Sequence, residues 1–182
     1  MLNENNSKNI TNNSTILVNF RQRGGNKPKL TIKYQNIRGF GAREEKFKKK
    51  IKKIEEDLSD NVDIFCVAET WYQQINKINK HKFFAASTPE PILLKGRAGD
   101  DGLAVFTRPE LKKYTKIIQN NPFYLIIKIK KLHILFMYLP PRLNTGEITA
   151  IFESIKTRID LMLGDLNIPI LTPLGNQSNS LK

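Results

Sequence analysis

One cysteine, one tryptophan and two histidines in 182 residues leave little material for a site built on thiolate or imidazole. The lone Cys66 excludes an internal disulfide framework and any cysteine-rich zinc centre. Its neighbours Phe65 and Val67 mark it as a buried thiol that behaves as a small hydrophobe. His81, in NKHK, lies in an irregular basic stretch and is expected to be exposed. His133, inside LHILFM, reads as a strand histidine with its hydrogen bonds satisfied. No apolar run reaches the length of a membrane span, so no membrane partner is expected. The opening MLNENNSKNI lacks the basic-then-apolar order of a secretory signal, which makes Asn9-Ile10-Thr11 an unused glycosylation match. A reducing, intracellular setting follows as the simple expectation, with nucleus and cytoplasm not separated and no oligomeric state implied.

Acidic residues are also scarce relative to basic ones. Thirty Lys+Arg against 17 Asp+Glu give a formal charge of +13, which suits a polyanionic partner such as nucleic acid. A general bias of the chain towards Lys, Asn and Ile would produce the same surplus, so charge names a class of partner and no site.

Residues 1–28 are rich in Asn, Ser, Gly and Lys and read as a mostly disordered leader around one apolar island, Thr15–Phe20. A folded domain is expected over 29–170, followed by a weakly patterned tail over 171–182. Leu30, Ile32 and Tyr34 alternate with Thr31, Lys33 and Gln35, the period of a half-buried strand. Phe47, Ile51, Ile54 and Leu58 fall on one helical stripe, with six lysines on the remaining faces and Glu44 and Glu45 at the N-terminal end. Val62–Ala68 is a near-continuous apolar run, expected of a strand covered on both faces, and completes a strand–helix–strand unit. A polar, poorly patterned stretch follows to Arg97. A strand is predicted over Gly102–Thr107, and Phe123–Ile129 with Leu132–Leu139 form a hairpin turning at Lys130-Lys131. Asn144 and Glu147 have capping-box spacing ahead of a helix with the stripe Ile148, Ile151, Phe152, Ile155 and Ile159. Leu161–Leu163 reads as a short buried strand that Gly164 ends. This order of elements is that of an α/β fold with a mixed sheet.

Two carboxylates stand just past apolar strands: Glu69 in DIFCVAETW and Asp165 in LMLGDLN. Ligand sites in open α/β sheets form at the carboxyl ends of strands. Hard oxygen donors converging there, without cysteine or paired histidines, suit Mg²⁺ or Mn²⁺. Each carboxylate alone is also ordinary strand-end or turn chemistry. Asn36, Tyr138 and Asn167 share the placement, so four strand ends present Asn, Glu, Tyr and Asp-x-Asn in chain order. Trp71 reads as core packing or a base-stacking ring. Arg38 either contacts phosphate or caps the turn before Gly39, and Arg142, after Pro140-Pro141, is a phosphate candidate.

The series QNIRG, DIFCVAETW, DDGLAVFTR, MYLPP and LMLGDLN resembles the endonuclease/exonuclease/phosphatase superfamily, and within it the endonuclease domains of LINE-type retrotransposons. The resemblance covers about residues 30 to 170. It implies a two-sheet α/β sandwich of the DNase-like type and a Mg²⁺- or Mn²⁺-dependent phosphodiesterase acting on nucleic acid, DNA rather than RNA. Glu69 would ligate the metal, and Asn36 would orient Glu69 or contact the phosphate side of that site. Tyr138 would bond the scissile phosphate or the metal's shell. Asp165 would position or activate the attacking water and Asn167 would bind a phosphate oxygen, with Arg38 and Arg142 on the nucleic-acid side. The family closes with a further strand carrying Asp and then a Ser-Asp-His motif, and neither occurs in this sequence. The expectation is therefore a fold incomplete at the C-terminus, retroelement-derived, and weak or inactive in catalysis. A non-catalytic nucleic-acid-binding remnant and a phosphatase for a small phosphodiester or phosphoinositide are the alternatives.

Overall fold

The computed structural model describes residues 13–19, 29–41, 43–71, 75–89 and 102–167. Two sheets face each other. The first has five strands, β1 (Asn13–Asn19), β2 (Lys29–Asn36), β3 (Ile64–Ala68), β4 (Phe84–Ser87) and β5 (Leu103–Thr107), in the order β1-β2-β3-β5-β4. The second runs β6 (Thr115–Asn121), β7 (Tyr124–Ile129), β8 (Leu132–Tyr138) and β9 (Leu161–Asp165) in that order. Each sheet contains one parallel pair, β2 with β3 and β8 with β9, among antiparallel neighbours. Helix α1 (Glu44–Asp60) crosses from β2 to β3, and α4 (Thr145–Glu153) from β8 to β9. The short helices α2 (Ile75–Asn79) and α3 (Pro109–Lys112) lie in connections. The α/β sandwich expected of the sequence is what forms.

Three apolar layers hold it together. Between the sheets, Ile32, Tyr34, Cys66, Ala68 and Val105 meet Leu125, Ile127, Phe136, Tyr138 and Leu163. Outside the first sheet, Ile51, Ile54 and Leu58 of α1 pack on Phe65, Val67, Ala104 and Phe106. Burying each of those three helical side chains stabilises the fold by roughly 1.5–3 kcal/mol before entropy is subtracted. Outside the second sheet, Ile151 of α4 packs with Ile126, Leu135 and Met137. β3 thus sends Ile64, Cys66 and Ala68 to one layer and Phe65 and Val67 to the other, which is why its sequence is apolar without alternation.

Several expectations need correction. Within the segment read as a disordered leader, Asn13–Asn19 pairs antiparallel with β2 from Asn13↔Gln35 to Asn19↔Lys29. The run Thr15-Ile16-Leu17-Val18, with three β-branched residues, had the propensity for this, but too little length to stand out from its polar surroundings. The stretch read as unpatterned holds α2 and β4, and edge strand β6 was not foreseen, because Thr115–Asn121 is largely exposed and carries no burial period. β9 runs through Gly164 to Asp165 and is only partly buried, with Met162 exposed. α4 stops at Glu153, so Ile155 and Ile159 reach the same apolar layer from beyond the helix. The tail over 171–182 lies outside the described residues. Among the described residues no helix is long and apolar enough to cross a membrane.

The capping box forms as its spacing demands. Glu147 N–H donates to Asn144 Oδ1 at 3.0 Å, and Asn144 N–H donates to Glu147 Oε2 at 2.8 Å. Asn144→Ala should therefore cost about 1 kcal/mol in a urea titration, and a change below about 0.3 kcal/mol would show the box to be idle.

Candidate active site

The strand ends that carry the candidate residues meet where the two sheets come together. Asn36 pairs with Ala68 at the end of the parallel β2–β3 ladder, which brings Asn36 within hydrogen-bonding reach of Glu69, the residue after Ala68. Tyr138 pairs with Asp165 at the end of the parallel β8–β9 ladder. The two halves are joined through one carboxylate oxygen. Glu69 Oε1 accepts a short hydrogen bond from the Asn36 side-chain amide and another, at 2.8 Å, from the Tyr138 hydroxyl. Asn36, Glu69 and Tyr138 therefore form one unit that spans both sheets.

Backbone continuation past the strands fixes this geometry. Ile37 N–H donates to Ala68 O at 3.1 Å, Gly39 N–H to Glu69 O at 2.5 Å, and Phe40 N–H to Thr70 O at 3.4 Å. Arg38 N–H donates to Asn36 Oδ1 at 3.0 Å, so Asn36 caps its own turn while its amide holds Glu69. The Arg38 side chain is exposed. Lys50 of α1 donates to the carbonyls of Ile37, at 2.6 Å, and Gly39. Burial, with a smaller push from nearby Lys46, pulls the Lys50 ammonium below the usual lysine pKa. Within a lysine run read as a solvated face, this one lysine pins the loop that presents Asn36.

Gly39 and Trp71 lock the same loop. A Cβ at Gly39 would fall 2.2 Å from Trp71 Cε3, and Gly39 also sits at φ +73°. Only glycine fits both demands. The Trp71 ring thus packs on the Asn36 loop, and its indole nitrogen is buried without a hydrogen-bond partner. Five described non-glycine residues have left-handed backbones, and four of them are Arg38, Glu69, Trp71 and Asn167, with Lys130 in the hairpin turn as the fifth. Strained residues concentrate where surrounding structure over-determines them, and functional sites are a common place for that. The backbone thus marks the same spot as the carboxylates, by a separate route.

On the second sheet, Leu139 N–H donates to Asp165 O at 3.0 Å, and the Asn167 amide donates to Leu139 O at 3.0 Å. Asn167 ties the two strand ends together and is otherwise exposed. Arg142 follows the proline pair on an exposed turn. Tyr34 is the residue sequence reading passed over. Its ring lies in the inter-sheet layer, and its hydroxyl donates to Met137 O at 3.1 Å and accepts from Asp165 N–H at 3.2 Å. Burial above all, then the charges of Cys66 and Asp165, hold that hydroxyl well above the usual tyrosine pKa. A core-facing tyrosine was itself the signal, since a buried hydroxyl needs partners.

Both histidines are committed elsewhere. His81 is not exposed as expected, because its Nε2 lies 2.9 Å from Glu55 Oε1 and its ring packs against Phe83 and Phe106. His133 Nδ1 lies 3.4 Å from Asp160 Oδ2 at the end of β8 remote from Tyr138.

Among the described residues no three His, Cys, Asp or Glu side chains cluster. A zinc-type cage is therefore not built from them. Glu69 is the carboxylate that could hold a metal here, because the hydrogen bonds from Asn36 and Tyr138 both fall on Oε1.

No protein-family profile matches the chain, and no curated protein matches it. Among solved structures, the 3′ phosphatase NExo from Neisseria bound to a product DNA hairpin is similar, with a TM-score of 0.45 and 14% identity. The similarity covers 75% of this chain and 57% of that one, so the chain spans little more than half the length of that neighbour.

Proposed function

We propose that this chain is a metal-dependent phosphodiesterase domain of the endonuclease/exonuclease/phosphatase type, acting on nucleic-acid backbones with DNA as the favoured substrate. The observation that carries the reading is the Asn36–Glu69–Tyr138 unit. A carboxylate held from both sheets through one oxygen presents the other in a fixed direction. In this reading Glu69 holds Mg²⁺ or Mn²⁺, and the ion when bound supplies Lewis acidity and neutralises charge on the phosphoryl oxygens.

The chain's own residues do the rest. Asn36 and Tyr138 keep Glu69 aimed by hydrogen-bonding one of its two oxygens. Asp165, at the neighbouring strand end, orients the attacking water and takes up its proton. Asn167 bears on a phosphate oxygen, and Arg38 and Arg142 draw in the backbone by charge. Neither His81 nor His133 is placed to protonate the leaving oxygen, since each pairs with a carboxylate outside this site. A positioned acid or base contributes about 10²–10⁴ in rate. A retroelement origin accords with the Asn-x-Arg-Gly form of the first motif.

Supercoiled plasmid incubated with the purified protein and Mg²⁺ tests this directly. Nicking that EDTA abolishes is expected, and a folded protein that nicks nothing under any Mg²⁺ or Mn²⁺ concentration overturns the reading. The second reading, a binding remnant without catalysis, is favoured by the +13 charge. It requires plasmid binding that weakens steeply with salt and does not need the metal.

A further inference from the structure

We propose that Tyr34 is a positioning residue that sets the spacing between the Asn36–Glu69 half of the site and the Tyr138–Asp165 half. The proposal deepens the phosphodiesterase reading and its catalytic arm rests on it. Tyr34 belongs to β2, two residues before Asn36, and is 3% exposed. Its hydroxyl makes two hydrogen bonds to the other sheet. It donates to Met137 O, in the peptide that leads into Tyr138, and accepts from the N–H of Asp165. One oxygen thus touches the backbone at both functional strand ends of the second sheet. The hydroxyl of Tyr138 returns the connection to the first sheet at Glu69. The two tyrosines make a closed circuit, with Tyr34 in the core and Tyr138 at the site.

A residue that only filled the core would need no hydroxyl there, because Leu30 and Ile32 serve the same layer from the same face of β2 without one. Tyr34's ring lets the strands approach to a set distance and its oxygen fixes their register. Without it, Met137 O and Asp165 N–H each lose their hydrogen bond to the first sheet, and the second sheet's strand ends can slide relative to Glu69. The Tyr138–Glu69 bond is the element most exposed to that slide.

The test is a cycle of Tyr34→Phe, Tyr138→Phe and the double variant, which all retain their rings and so disturb packing least. Unfolding equilibria are measured for all four proteins, and plasmid cleavage and Mn²⁺ titration for wild type and Tyr34→Phe. Each single variant is expected to raise the unfolding constant about fivefold, the effect of losing an ordinary hydrogen bond. In the Tyr34→Phe background, Tyr138→Phe should raise it by less than about twofold, because the Tyr138–Glu69 bond is already compromised. Tyr34→Phe should also lower kcat about tenfold or more while KM stays within about twofold, the signature of misplacement after binding. An additive cycle, or a kcat within about twofold of wild type, overturns the proposal. A wild-type protein that neither cleaves nor binds Mn²⁺ overturns the phosphodiesterase reading instead, and the cycle still decides the role of Tyr34.

Discussion

Glu69→Gln is expected to reduce metal-dependent cleavage by roughly 10³-fold while leaving the fold in place, because it removes a charge and almost no shape. The Gln amide oxygen can occupy the Oε1 position and still accept from the Asn36 amide and the Tyr138 hydroxyl. The amide nitrogen then falls where the second carboxylate oxygen stood and turns two donor hydrogens towards the cation. Stability should change by no more than about 1 kcal/mol, since both donors keep their acceptor. Mn²⁺ titration should lose its saturable site in the same variant. Glu69→Ala is the coarser test, because it also strips Asn36 and Tyr138 of their partner and so mixes structural with chemical loss. Three measurements on Glu69→Gln decide the matter: cleavage rate, Mn²⁺ affinity and urea midpoint. Cleavage within about tenfold of wild type would take Glu69 out of the metal site, whatever the midpoint.

The legible parts of this molecule were those with a strong local signal. α1 is written in the spacing of Ile51, Ile54 and Leu58, and all three are buried as that spacing requires. The β7–β8 hairpin and the cap of α4 are short-range features with known chemistry, and both form. The site was legible in part for the same reason. Asn36, Glu69, Tyr138 and Asp165 each stand at the end of a strand pattern, and the parallel ladders bring those ends into two adjacent pairs. What escaped depends on contacts distant in the chain. Tyr34 and Asp165 are 131 positions apart, so no window along the sequence could pair them. Lys50 looks like its neighbours in a lysine-rich helix, and only the approach of the Asn36 loop distinguishes it. His81 sits in a basic stretch that gives no hint of Glu55, and its burial comes from α1 packing over it. β6 is an edge strand among the described residues, and its largely exposed sequence carries little burial period.

Gly164→Ala should destabilise the protein by about 3 kcal/mol and disturb the site out of proportion to the one methyl added. β8 and β9 pair in parallel with Met137 opposite Gly164, and an ideal Cβ at Gly164 would lie 2.3 Å from Met137 O. Met137 C and Cβ would follow at 3.1 and 3.2 Å, so the obstruction is mostly backbone and cannot rotate away. The strands must separate, and β9 is the one free to move, because among the described residues it pairs only with β8. Its displacement carries Asp165 with it. The carbonyl that blocks the methyl is the one that Tyr34 holds, so the substitution also pulls on the link between the sheets. Hydrogen exchange separates local from global effects: Leu139 N–H, which bonds Asp165 O, should lose protection earlier than the amides of β7. A loss of less than about 0.5 kcal/mol, with Leu139 still protected, would mean that the β8–β9 ladder yields at no cost and that strand spacing does not fix Asp165.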